Sequence, residues 1–181
     1  MYSRGHNPSL RAPRPDRCAF TLIEMLIVVV IIGILATIVL PQFTNASITA
    51  KENTLKDELR YLRTQIIVYK AQHHDTPPGY PGGDTSAAPT AADFIAQMTK
   101  PTDQYGATSA TPSSVYKFGP YLSAMPANPL TTLGAVLVVD DNQPMPSPTG
   151  VTYGWIYKPL TGEIIANSTG SDASGTEYKN Y

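Results

Sequence analysis

From Phe20 to Leu40 the chain has 21 residues with a single charge, Glu24, and the run closes on Pro41. No other feature limits the fold so strongly. A helix of that length rises about 30 Å, the thickness of a bilayer's hydrocarbon core, so the segment reads as a membrane span. A charged side chain inside a span costs on the order of 2.5 to 3.5 kcal/mol at mid-bilayer and less near the interface. Glu24 therefore needs a partner.

Charge around the span gives it a direction. Residues 1–19 carry Arg4, Arg11, Arg14 and Arg17 against Asp16, while the whole chain has a formal net charge of −1, so everything after Ala19 is acidic on balance. A basic segment ahead of an apolar span stays in the cytoplasm and sends the remainder across the membrane. The acidic remainder lacks the basic patch that a nucleic-acid partner would require. The one cysteine, Cys18, precedes the span, so the exported part folds without an internal disulfide and rests on side-chain packing.

Four segments follow. Residues 1–19, with Pro8, Pro13 and Pro15 among the arginines, form an extended leader. Residues 20–45 form the membrane helix, in which Gly33 and Pro41 are the candidate kink positions. Residues 46–74 continue the helix as an amphipathic half: Leu55, Leu59, Leu62, Ile66 and Tyr69 recur at steps of 4, 3, 4 and 3, with charges between them. That stripe needs a surface to cover it. His73 and His74 suit the negative end of the helix, and Pro77-Pro78-Gly79 forbids continuation.

Residues 75–181 form the globular part. Thr90-Ala91-Ala92-Asp93 has the form of a capping box opening a short helix that stops before Pro101. The stretch from Phe118 to Leu130 has prolines too closely set for a regular element, yet its apolar residues predict a loop laid on the core. Asp140-Asp141-Asn142 reads as a turn after a strand. Strands are predicted at Gly134–Val139, Tyr153–Tyr157 and Glu163–Ala166, the last two joined as a hairpin. The expected fold is α+β: a long N-terminal helix packed against a small antiparallel sheet that covers the leucine stripe.

Over Ala19 to Pro41 the chain resembles the type IV pilin and pseudopilin superfamily. The features that carry the resemblance are a basic leader, a small residue, Phe20-Thr21-Leu22-Ile23-Glu24, an apolar helix and a proline. The resemblance implies a pilin-like fold, cutting between Ala19 and Phe20 by a prepilin peptidase, and methylation of the Phe20 amine. It departs from the family pattern at Ala19, where glycine is usual. It also implies partners: copies of the chain and other pilin-like subunits, the peptidase and an inner-membrane assembly platform. Glu24 then pairs with the Phe20 amine of a neighbouring subunit, neutralising its charge and setting axial register.

Among these families the chain is most similar to pseudopilins of type II secretion, in having no cysteine beyond the span and in its Gly-Pro-Tyr-Leu and Pro-x-Asn-Pro segments at Gly119 and Pro126. The expected location is the bacterial inner membrane, with the C-terminal domain in the periplasm, and then a periplasmic fibre. The alternatives are a type IV pilus or DNA-uptake pilin, and a membrane-anchored periplasmic binding module that never polymerises. From the residues alone, an ordinary signal anchor with Glu24 at the interface, or a secretory signal ending near Asn45, also fits.

No nucleophile elbow, phosphate loop or HExxH is present, so no enzyme is expected and no cofactor is required. Calcium is the exception to weigh. Major pseudopilins are known for a calcium site in their C-terminal loops, for which Asp172 and Glu177 are the candidates here, whereas the residues from Asn167 to Glu177 read by themselves as a flexible polar tail. His73, His74 and Asp75 were weighed as metal ligands against a helix end, and Tyr153, Trp155 and Tyr157 as a ligand platform against sheet packing; the second reading is preferred in both.

Overall fold

A computed structural model describes residues 20–181; the leader with Cys18 and Ala19 lies outside the described residues. Helix α1 runs from Leu22 to Gln72, and two compact units meet between Thr44 and Asn45. The helix runs on through Gly33 and through Pro41, whose nitrogen has no hydrogen to donate to the ladder.

In the first unit every large apolar side chain from Leu22 to Leu40 is 42 to 86% exposed. Such a surface is unstable in water and suits lipid or neighbouring helices. Its few hydroxyls are turned inward on the helix: Thr37 donates to the Ile34 carbonyl at 2.7 Å and Thr44 to the Leu40 carbonyl at 3.3 Å. These two hydroxyls thus meet the backbone instead of hydrocarbon.

The second unit is built on the leucine stripe. Leu55, Leu59, Leu62, Ile66 and Tyr69 are at most 2% exposed, and their cover is the sheet and a second helix. Helix α2, Ala91–Thr99, starts where the capping box was expected: the Thr90 hydroxyl accepts from the Asp93 amide at 3.0 Å, and Phe94 and Met98 enter the core. The strands are β1 (Val136–Val138), β2 (Trp155–Lys158) and β3 (Glu163–Ala166). Trp155, Tyr157, Ile164 and Ala166 face the stripe, whereas Ile156 and Ile165 point to the opposite side. This is the two-residue alternation of a pleated strand.

Two expectations are corrected. The sheet is not wholly antiparallel: β2 and β3 pair antiparallel, with Trp155 opposite Ala166, but β1 and β2 run parallel, with Val136 opposite Trp155. Residues 139–154 are long enough for the crossover that a parallel pair needs. They also cover the sheet's outer face, where Met145 joins Val139, Ile156 and Ile165 in a second small core. Of the polar segment from Asn167 to Glu177, Asn167 and Ser168 are buried and the rest is exposed apart from Asp172, which gathers it into a hydrogen-bonded turn, while Tyr178 and Tyr181 beyond it lie against the main core.

Loops without strands are fastened by buried amides. Gln97 donates to the Tyr80 and Gly106 carbonyls at 2.8 and 3.0 Å and accepts from the Gly79 amide at 2.7 Å. Asn128 donates to the Gly154 carbonyl and the Ser168 hydroxyl, and Asn167 donates to the Val151 and Tyr153 carbonyls. An unpaired buried amide would cost about 1 to 3 kcal/mol, so each of these holds its loop in one geometry. Gly154 sits where two of them converge. A Cβ there would lie 1.8 Å from the Leu133 carbonyl oxygen. Gly154→Ala is expected to destabilise the second unit by about 1 to 3 kcal/mol, read as a lower midpoint in denaturant followed by Trp155 fluorescence.

His73 is not an exposed helix-end cation. It is 1% exposed, stacks on Tyr69 with ring centroids 3.8 Å apart, and bonds through Nδ1 to the Tyr69 carbonyl and through Nε2 to the Thr102 hydroxyl. Burial lowers its pKa, opposed in part by hydrogen bonds and Asp103. Because the folded state resists the proton, its contribution is complete above the ordinary value of 6.5 and is lost as pH falls from there toward the lower folded value. The unfolding midpoint should therefore drop between about pH 7.5 and 5.5, and His73→Gln should flatten that part of the profile.

Candidate functional site

Helix α1 begins at Leu22, which makes Thr21 its N-cap and Glu24 its third helical residue. The two side chains close on each other. The Thr21 hydroxyl accepts from the Glu24 amide at 3.2 Å, and Glu24 Oε2 accepts from the Thr21 amide at 3.2 Å and the Thr21 hydroxyl at 3.3 Å. This is a reciprocal capping box, and the positive end of the helix dipole further favours a carboxylate there. Glu24 thus has a partner within its own chain. Sequence reasoning missed Thr21, although Thr-x-x-Glu ahead of an apolar run is a stronger form of the Thr-x-x-Asp signal that found Thr90.

The other singled-out positions are distributed along the chain. Phe20 is 72% exposed immediately ahead of the box. Gly33 lies inside α1 with no atom within 4 Å of where a Cβ would stand, so it marks no close contact within the chain. Pro41 lies in α1 between Thr37 and Thr44. Tyr153, Trp155 and Tyr157 do not form a platform; Trp155 and Tyr157 are buried, and the indole nitrogen donates to the Pro126 carbonyl at 2.8 Å.

Asp172 and Glu177 do not suit a calcium ion. Asp172 Oδ1 accepts from the Ser174 amide, the Ser174 hydroxyl and the Thr176 amide at 2.9, 2.6 and 3.0 Å, and Oδ2 accepts from the Tyr181 hydroxyl at 2.8 Å. Hydrogen bonds from Ser174 and Tyr181 hold this carboxyl well below the usual carboxylate range. Glu177 meets Lys179 at 3.0 Å. Calcium takes six to eight oxygen ligands, several of them carboxylates, and among the described residues no group of three or more His, Cys, Asp or Glu stands close enough to hold a metal.

What the site can do is anchor and associate. Among the described residues one helix, α1, is long and apolar enough to cross a membrane, and it presents a capped carboxylate at the head of an unpartnered apolar surface. These features are compatible with single-pass membrane anchoring of a chain that has a pilin-like α+β fold. Residues 14–40 match the family model described as the prokaryotic N-terminal methylation motif. The chain is 32% identical over 68 residues to the competence protein ComGC of Halalkalibacterium halodurans, covering 38% of this chain and 67% of that one. It is 36% identical over 64 residues to the type II secretion system core protein G of Pseudomonas aeruginosa, covering 35% of this chain and 45% of that protein. No solved structure shows a significant match. The chain belongs to the type IV pilin and pseudopilin superfamily.

Removing the cap should loosen the helix head without affecting the second unit. Thr21→Ala is expected to cost about 1 kcal/mol locally, read as roughly fivefold faster amide exchange at Glu24 in micelles, with exchange at Trp155 unchanged.

Proposed function

We propose that this chain is a pseudopilin, a structural subunit of a type II secretion fibre, cut between Ala19 and Phe20, methylated on the Phe20 amine and drawn from the inner membrane into a polymer. The observation that carries the proposal is the capped Glu24 at the head of the exposed apolar half of α1, inside a segment that matches the methylation motif. While the subunit waits in the membrane, Thr21 satisfies Glu24. Cutting at Phe20 creates an ammonium on the neighbouring residue of every subunit, and in a bundle of such helices that cation outbids a neutral hydroxyl for the carboxylate. The exchange fixes the axial register of the incoming subunit.

A DNA-uptake pilin is the second reading, favoured by the similarity to a protein named for competence. Deleting the gene separates them: loss of secreted proteins with intact DNA uptake supports the first, and the reverse supports the second. In either system the protein purified from its host membrane should begin at N-methyl-Phe20 by mass spectrometry. A start at Met1 or near Ser47 would refute the pilin mechanism. Glu24→Ala should be processed and membrane-inserted as usual, yet be depleted at least tenfold from sheared fibres, about 1.4 kcal/mol of lost pairing.

A further inference from the structure

The last turn of the chain is held to α1 by two rungs. On α1, Glu52 and Lys56 lie four residues apart, one turn of helix, and share a face. On the tail, Tyr178 and Tyr181 lie three apart across a short 3-10 turn, with their rings edge to face at 5.6 Å. The spacings match. In the first rung the Tyr178 hydroxyl donates to Glu52 Oε1 at 2.9 Å, and Glu52 is only 6% exposed. In the second, the Lys56 ammonium lies 4.2 Å from the centre of the Tyr181 ring and 3.6 Å from Asp172 Oδ2, while the Tyr181 hydroxyl donates to that same oxygen.

Asp172 is the knot of the tail itself. Its other oxygen gathers Ser174 and Thr176 into an Asx-type turn, backed by the Asp172 amide donating to the Thr176 carbonyl at 3.0 Å. Oδ1 takes three protein donors and Oδ2 takes the Tyr181 hydroxyl, which leaves the remaining lone pair of the carboxylate on the oxygen nearest Lys56. The Lys56 ammonium, on a side chain that is 42% exposed, supplies positive charge to an Asp172 side chain that is 10% exposed.

We infer that Lys56 closes the C-terminal loop in this subunit as an internal cation, and that the loop consequently folds without a divalent metal. The role requires three things of the residue at position 56: a positive charge, a stem long enough to reach Asp172, and a head that sits over the Tyr181 ring. Methionine keeps the stem and loses the charge. Arginine keeps both charge and ring contact. The inference concerns the folding of the Asn45–Tyr181 unit and holds whichever fibre the subunit serves.

The test uses the full chain in detergent micelles, with unfolding followed by fluorescence of Trp155, the single tryptophan, which is buried in the same unit. Lys56→Met should lower the unfolding temperature by roughly 2 to 4 °C in chelator, and Lys56→Arg should recover at least half of that loss. Adding millimolar calcium to the native chain should raise the temperature by less than Lys56→Met lowers it. A rise equal to or larger than that drop would overturn the inference, as would a failure of arginine to recover half the loss. Terbium, a luminescent stand-in for calcium, gives a second arm that needs no variant. Tyr178 and Tyr181 would sensitise an ion bound beside Asp172, so saturable emission from the native chain that Asp172→Asn abolishes would also overturn it, and its absence is the expected result.

Discussion

One face of α1 organises the globular unit. Leu55, Leu59, Leu62, Ile66 and Tyr69 are excluded from water only because a sheet and a short helix lie across them, and those elements are too small to persist alone. β1, β2 and β3 have three or four residues each, well short of independent stability. Helix and sheet therefore form together or not at all. The same dependence explains where the aromatic residues went: Trp155, Tyr157 and Phe94 fill the volume between the stripe and the sheet.

Periodic features were legible before any coordinates. The stripe, the capping box at Thr90, β3 and the hairpin turn before it were all found from spacing and turn chemistry, because each is a local pattern. The parallel pairing of β1 was not, since strand direction depends on where a long connection returns. Nor were the roles of Gln97, Asn128, Asn167 and His73. A buried amide or imidazole has no periodicity, and what it fastens is distant in sequence: Asn128 reaches Gly154 and Ser168, and His73 reaches Thr102.

The head of α1 was half legible. An intramembrane carboxylate announces that a partner exists, and the family resemblance supplied one from a neighbouring subunit. The partner inside the chain, Thr21, answers to the orphan amides of a helix start and not to charge. Within the single chain, Thr21 already leaves that carboxylate hydrogen-bonded. The tail held the opposite lesson. Its oxygen-rich composition suggests metal binding or disorder, yet composition does not reveal that its oxygens are occupied by its own amides, hydroxyls and a lysine four residues beyond Glu52 on α1.

Arg63 donates from the partly buried flank of α1 to the carbonyl of Ile164 in β3 at 3.1 Å. Its guanidinium thereby takes up a backbone acceptor at the border of the sheet, where an unguarded strand would recruit another chain. Pairing with a strand of another chain, a contact that is hard to reverse once made, is discouraged at β3.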